Sequence, residues 1–105
     1  MKLLTTDIIR KLPKFGATEK KKPEEVPIVV KFFTLWNKWA WYTIEGEKQE
    51  DGSWLFFGWV HGDFPELGYF SLTELEEVRG PMGLKIERDM HFSNHTLAEC
   101  MKERI

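Results

Sequence analysis

The apolar residues of this chain are concentrated between residues 26 and 60, in three runs of strand length that turn residues separate. All five tryptophans lie in this stretch. β-branched and aromatic residues favour the pleated, half-buried surface of a sheet. The pattern predicts an antiparallel meander over Val26–Thr34, Lys38–Glu45 and Ser53–His61, to which Glu66–Ser71 can add a fourth strand.

Both faces of this meander are predicted to be apolar. In the middle strand Tyr42 and Ile44 alternate with Trp41 and Thr43, so that neither face is polar. An antiparallel sheet with one solvated face alternates apolar and polar residues instead. Two arrangements stay open: helices and loops cover the second face, or part of it is an exposed aromatic patch, which is typical of a binding site.

Helix signals flank the meander. An apolar stripe over Thr5–Leu12, with a threonine at its start and Pro13 after it, predicts a first helix. Ser71 and Glu74 have the spacing of a capping box, which predicts a second helix over Ser71–Val78.

The remaining segments complete the predicted fold. A last helix is predicted over Thr96–Arg104, and residues 80–89 are predicted to be irregular or a short extended piece. Residues 14–25 are polar and are predicted to form a loop or a mobile tether. The expected fold is a single small α+β domain over residues 1–105. It has a three- to four-stranded antiparallel sheet and short N-terminal, middle and C-terminal helices.

Size and cysteine content narrow the class of protein. A chain of 105 residues is the length of one domain and can fold without a metal or a disulfide. Cys100 is the single cysteine, which excludes an intrachain disulfide and favours a reducing compartment. No stretch approaches the roughly 20 apolar residues of a membrane span, and the first 14 residues lack the apolar core of a signal peptide. We therefore expect a cytoplasmic protein with no membrane partner.

Charge is distributed unevenly along the chain. Residues 1–22 carry seven basic residues against two acids, whereas residues 23–105 carry eight against fifteen, so +5 and −7 sum to the net charge of −2. Nucleic-acid affinity depends on neutralising phosphates. The acidic remainder therefore disfavours nucleic acid as a partner, and only the N-terminal segment is suited to one.

Signatures of catalysis and of cofactor binding are absent from the sequence. It contains no P-loop, no dinucleotide-binding glycine motif and no GxSxG. His91 and His95 are four residues apart, with Asp89 and Cys100 nearby, but a structural zinc site needs four ligands and commonly uses cysteine pairs. We predict no catalytic residue, no metal site and no cofactor.

Two groups of residues are candidates for binding. Tryptophans in or beside the turns, with arginines around the Gly-Pro-x-Gly segment, have the composition of protein interface centres. An arginine there can also pair with a carboxylate and fix the loop. The candidate binding residues are Trp36, Trp39, Trp59, Arg79, Arg88 and Asp89.

Three long strings carry a resemblance to a known family: MKLLTTDIIRKLPK, VVKFFTLWNKWAWYTIEGE and LGYFSLTELEEVRGPMGLKIERDMHF. Over nearly its whole length the chain resembles the uncharacterised family called domain of unknown function 2958. The resemblance implies a small single-domain protein of bacteria, phages, plasmids or other mobile elements. It implies no activity and no catalytic residue.

Three functions stay open. The leading hypothesis is a small non-enzymatic domain of mobile-element type that binds a protein partner, as a monomer or weak dimer. The alternative is an accessory protein in which the aromatic sheet stacks single-stranded bases and Arg10, Lys11 and Lys20–Lys22 hold the backbone. The third is a small hydrolase in which Asp63 orients His61 as a general base.

Overall fold

The fold is an antiparallel sheet with helices and loops on both faces. The structure is a computed structural model that describes residues 1–102. Its strands are β1 (Val30–Phe33), β2 (Ala40–Lys48), β3 (Trp54–His61), β4 (Glu66–Ser71) and β5 (Glu87–Arg88). Its α-helices are α1 (Thr6–Lys11), α2 (Leu72–Glu77) and α3 (Leu97–Lys102), and short 3-10 turns span Pro23–Glu25 and Pro81–Gly83.

The strands follow the order β4-β3-β2-β1-β5, and every adjacent pair is antiparallel. The α+β class and the meander of the first four strands are therefore confirmed. The sheet has a fifth strand beyond the three to four predicted, because Glu87 and Arg88 pair with Phe33 and Phe32. Two residues are too short to show a period-two pattern, so the sequence indicated only an irregular or extended piece there.

All three helices begin at a side-chain cap, and the first two caps confirm the prediction. Thr5 accepts a hydrogen bond from the amide of Ile8 at the start of α1. Ser71 and Glu74 form the reciprocal capping box of α2. Thr96 accepts from the amide of Glu99 at the start of α3. The predicted end of the last helix, at Arg104, lies outside the described residues.

The first core lies between one face of the sheet and the N-terminal segment with α2. Phe32 and Phe56 are fully buried at its centre, with ring centroids 5.9 Å apart. Leu75 is the buried residue of α2. The buried members of this core are Leu3, Leu4, Val30, Phe32, Trp41, Phe56, Phe70, Leu75 and Ile86.

The second core lies on the opposite face, under α3. Its buried members are Val26, Ile28, Ala40, Tyr42, Ile44, Leu97 and Cys100. Helices and loops thus cover both faces of the sheet, which is the first of the two arrangements that the sequence left open. Among residues 1–102 the exposed aromatic side chains are Phe64, in the β3–β4 turn, and Tyr69, on the edge strand β4.

A bulge in β2 positions an acidic residue over the second core. Thr43 lies opposite Gly58 and Glu45 lies opposite Phe57, so Ile44 is the extra residue. Residues directly opposite each other share a face of the sheet. Glu45 therefore lies on the face of Phe57, which packs against the second core. Bulges commonly turn a side chain in this way beside functional sites.

Candidate functional site

Three loops meet at one end of the sheet and expose apolar side chains there. The β1–β2 and β3–β4 turns lie at the same end because Ala40 pairs with His61. The turn before β5 joins them because Phe33 pairs with Glu87. The exposed apolar residues of these loops are Leu35, Phe64, Met82 and Leu84, which we call the apolar end.

Trp36 packs on a glycine at this end of the sheet. A Cβ atom added to Gly80 would lie 2.4 Å from the Trp36 ring, so the indole lies against the bare backbone. The amide of Gly80 donates to the carbonyl of Leu84, which closes the turn that carries Met82. The backbone of Met82 has a φ angle of 58°, a left-handed conformation that is uncommon in residues other than glycine. Trp36 is thus half-buried and holds the turn in place.

Trp39 makes the same kind of contact with the neighbouring turn. A Cβ atom on Gly62 would lie 2.6 Å from its ring. Trp39 also packs against the first core, and its centroid is 5.7 Å from that of Trp41. Its amide donates to the hydroxyl of Thr34 at 3.0 Å, within the β1–β2 turn. Trp36 and Trp39 therefore lie together at the apolar end, each half-buried against a glycine.

The other candidate binding residues are distributed over the molecule. Trp59 packs against the second core, on the face opposite Trp39. Arg79 is exposed beside Gly80. Its guanidinium donates to the backbone carbonyls of Glu76 and Val78 at 2.7 and 2.9 Å, and so provides hydrogen-bond partners for carbonyls at the end of α2. The structure therefore brings Arg79 near Trp36 and separates Trp59 from both.

Arg88 and Asp89 both make structural contacts. The Arg88 guanidinium donates to the carbonyl of Lys2 at 2.7 Å and so ties β5 to the N-terminal segment. Asp89 lies 3.9 Å from the ammonium of Lys31. That ammonium also lies 5.6 to 5.8 Å from three ring centroids, those of Phe33, Tyr42 and Phe92. An aromatic cage of this kind stabilises a cation.

A second site is built around Glu45, which is only 4% exposed. Its Oε1 accepts from the amide of Gly16, and its Oε2 accepts from the amide of Thr18, each at 2.9 Å. The Thr18 hydroxyl also donates to Oε2. Glu47, two residues further along β2, accepts from the amide of Phe15 at 2.8 Å. Residues 14–25, predicted to be a loop or mobile tether, are thus joined to β2 by backbone amides.

Glu45 borders a cavity of about 390 Å³ between this loop, the sheet and α3. Its apolar wall includes Phe57 and Tyr69, whose ring centroids are 4.8 Å apart, and Phe15 meets Tyr69 edge-on at 5.5 Å. The cavity is lined by Gly16, Thr18, Glu19, Lys21, Pro23, Val26, Ile44, Glu45, Phe57, Leu67, Tyr69, Leu97 and Met101.

Sequence reasoning missed the Glu45 site. It placed Glu45 at the end of a strand, where an acid is ordinarily solvated. The available signal was an acid directly after the apolar run that ends at Ile44, together with Gly16 and Thr18 in a turn. The bulge at Ile44 is what places this acid over the second core, and the alternation pattern contains no sign of a bulge.

The histidines and the cysteine form no metal centre within residues 1–102, where no group of three or more His, Cys, Asp or Glu side chains converges. His91 is exposed, and His95 lies 3.3 Å from Glu99 and 4.5 Å from the ring of Phe92. Cys100 is 1% exposed, and its burial raises the pKa of the thiol to about 12. A thiol in this environment is protonated and unreactive at neutral pH.

Fold and sites together define a small α+β domain with a meander sheet, an apolar end and a buried carboxylate beside a cavity. Within residues 1–102 no helix has the length and apolar character needed to cross a membrane. The chain belongs to the family described as "Protein of unknown function (DUF2958)", whose sequence model matches residues 3–103. No curated protein and no solved structure matches it.

Proposed function

We propose that this protein is a non-enzymatic binding domain that docks its apolar end on a partner protein. The observation that carries the proposal is the exposure of the apolar end: Phe64 is 82% and Met82 102% exposed, and both project from loops at the same end of the sheet. Side chains that protrude in this way fit apolar pockets on a folded partner. The partner we propose is a protein that offers such pockets.

The scaffold beneath the apolar end supports this proposal. The Trp36–Gly80 and Trp39–Gly62 contacts join the turn before β5 and the β3–β4 turn to the β1–β2 turn. A preorganised loop loses less conformational entropy on binding, so that more of the contact energy appears as affinity. Methionine adapts its shape to a partner surface, and aromatic residues dominate the centres of interfaces.

The experiment compares two methionine variants in a binding assay. The tagged protein is used to capture partners from host lysate with and without nuclease, and a captured protein is then purified and titrated directly. Met82→Ser, at the apolar end, is expected to weaken the measured affinity about tenfold, as the loss of a contact at an interface centre does. Met90→Ser is the matched control, because Met90 is 68% exposed and follows β5 on the side away from these loops. Equal affinity of both variants would refute the proposed interface.

Nuclease treatment tests the nucleic-acid alternative in the same experiment. The exposed basic residues of that alternative, including Arg10 and Lys20, lie in the N-terminal segment. The aromatic residues of the sheet, in contrast, pack mostly in the two cores. Because these rings are packed, we propose base stacking only as the second candidate function, after protein binding. Recovery that depends on nucleic acid and falls steeply with salt would reverse the order.

The hydrolase alternative has less support from the geometry. His61 is half-buried at the end of β3, and Asp63 is exposed in the following turn. Neither residue borders the Glu45 cavity. A pocket at the β3–β4 turn is lined in part by Asp63 and Phe64 and belongs to the apolar end.

The proposed context is the cytoplasm of a host that carries a mobile element. The single cysteine, buried as a protonated thiol, suits a reducing compartment. The edge strand β4 can pair with a second copy, and for that reason we propose a monomer in equilibrium with a weak dimer.

A further inference from the structure

We propose that the Glu45 cavity binds a small organic cation, a guanidinium or ammonium group on a short alkyl chain. This site is separate from the apolar end and does not depend on the function proposed for it. Its cavity, at about 390 Å³, falls within the volume range of sites for small ligands.

The charge of Glu45 is the first argument. Glutamate is almost never fully buried unless it is paired. Glu45 is 4% exposed, yet within residues 1–102 no cationic side chain lies within ion-pair distance of it. Its partners are two amides and one hydroxyl, which are neutral donors. A negative charge without a counter-charge beside a cavity favours a cationic occupant.

The remaining hydrogen-bonding capacity of Glu45 is the second argument. A carboxylate has about four acceptor positions, two on each oxygen. Oε2 accepts two hydrogen bonds from Thr18, whereas Oε1 accepts one, from Gly16. Within residues 1–102 one acceptor position on Oε1 is therefore unfilled, and we propose that an N–H donor of the ligand occupies it. A hydrogen bond of this kind, between two charged groups, is among the stronger ones in proteins.

The aromatic wall is the third argument. The Phe57 and Tyr69 rings are tilted by 51° to each other with centroids 4.8 Å apart, and Tyr69 is 63% exposed at the edge of the sheet. The faces of such rings attract a cation. The side chains of Leu67 and Leu97, which also line the cavity, suit an alkyl chain. Among the described residues that line the cavity, the charges of Glu19 and Lys21 cancel, so that Glu45 determines the sign of its charge.

Butylguanidinium is the probe, and the amide signals of Gly16 and Thr18 in NMR spectra are the readout. Both amides donate to Glu45 and should shift when a cation reaches the carboxylate. We expect a Kd of about 1 mM, as befits a ligand of this size. Butanol, which has the alkyl chain without the charge, is expected to bind at least about tenfold more weakly. Equal shifts with both compounds would overturn the proposal.

Two variants test which residues bind the probe. Glu45→Gln removes the charge and is expected to weaken binding about tenfold, the effect of one charge-assisted hydrogen bond. Glu50→Gln is the matched control, since Glu50 is exposed in the β2–β3 turn and does not line the cavity. Unchanged affinity in Glu45→Gln would refute the assignment.

Should Glu45→Gln release the loop, Tyr69→Leu provides an independent measurement. Tyr69 is largely exposed, and the substitution keeps apolar volume while it removes the ring face. We expect a loss of affinity of about threefold, in line with a cation–π contact at a partly exposed site. Affinity equal to that of the wild type would contradict the aromatic part of the proposal.

A second titration distinguishes two sources of the cation. The same group could belong to a free amine or to an arginine side chain of a protein. A short capped peptide with one central arginine is titrated beside butylguanidinium. Tighter binding of the peptide would identify a protein side chain as the ligand, and tighter binding of butylguanidinium would identify a small molecule. Absence of shifts with both probes at about ten times the expected Kd would overturn the inference.

Discussion

The carboxylate of Glu45 accepts hydrogen bonds from both the amide and the hydroxyl of Thr18. The two residues are 27 positions apart in the chain, and both are buried. This contact and its neighbour at Gly16 hold the loop after α1 against the second core. A buried acid thus has a structural role in this loop as well as a place beside the cavity.

We expect Glu45→Gln to destabilise the protein by about 1–3 kcal/mol, because a buried amide or hydroxyl loses its acceptor. The effect should be local to the loop. Hydrogen exchange at the amides of Gly16 and Thr18 should accelerate more than exchange in β3, and urea unfolding gives the free-energy change. Glu50→Gln, at an exposed acid, should stay within about 0.5 kcal/mol of the wild type. Equal exchange rates in wild type and Glu45→Gln would contradict the role of this carboxylate.

Gly80→Ala should displace the indole of Trp36. The new Cβ atom would meet the ring at 2.4 Å, a distance that atoms in proteins do not maintain, so the ring or the turn must move. Overpacking of this type costs about 1–3 kcal/mol. Urea unfolding measures the cost, and a change in tryptophan fluorescence reports the movement. Gly68→Ala is the control, since nothing lies within 4 Å of a Cβ atom there. The same stability loss in both variants would argue against the Trp36–Gly80 contact.

Trp39→Ala should destabilise the protein by about 2 kcal/mol, less than the roughly 3–5 kcal/mol of a fully buried tryptophan, because this half-buried side chain packs on the first core and on Gly62. Leu35→Ala, in the same turn but 56% exposed, should change stability by less than about 0.5 kcal/mol. Thermal or urea unfolding of the two variants makes the comparison. A larger loss for Leu35→Ala would show that the exposed and packed sides of this turn have been assigned the wrong way round.

Cys100 should make the stability fall at alkaline pH. Burial raises the pKa of its thiol from 9.0 to about 12 in the folded protein. Below pH 9 the thiol is protonated in both the folded and the unfolded protein, and its contribution to the free energy of unfolding is fully present. Between pH 9 and about 12 the unfolded thiol ionises and the folded one does not, so unfolding is favoured by up to about 1.4 kcal/mol per pH unit.

The control for Cys100 is the Cys100→Ala variant, in which this contribution is missing. The free energy of unfolding of both proteins is measured from pH 8 to 11, and the difference between them isolates the thiol from other titrating groups. The wild type should lose stability more steeply than the variant across this range. Parallel curves would disprove the predicted contribution.

Ser71→Ala should cost about 1 kcal/mol, because it removes the acceptor for the amide of Glu74 at the start of α2. Thr73→Ala, at an exposed position within the same helix, is the comparison. It should be neutral or slightly stabilising, since alanine has the higher helix propensity. Equal losses in urea unfolding would show that the capping box contributes nothing.

Local sequence patterns were enough to predict most of the fold. The runs of apolar residues predicted β1 to β4, and Ser71 with Glu74 predicted the start of α2. These features act over a few residues, through side-chain alternation and capping hydrogen bonds, and so they are visible in the sequence. The predicted strand at Val26 begins four residues early, because residues 26–29 instead join α3 and β2 through contacts such as the Leu97 amide with the Val26 carbonyl.

The candidate sites depended on contacts between residues distant in the chain. The sequence placed Trp36 between the first two predicted strands and Trp39 near the start of the second, but their half-burial results from Gly80 and Gly62, which approach from other loops. The sequence by itself determined the α+β class, the meander and the caps, because these follow from neighbouring residues. Only the tertiary structure decided which acid is buried and which apolar residues are exposed. The bulge at Ile44 placed Glu45 on the face of the second core, and the strand register gathered three loops at one end of the sheet.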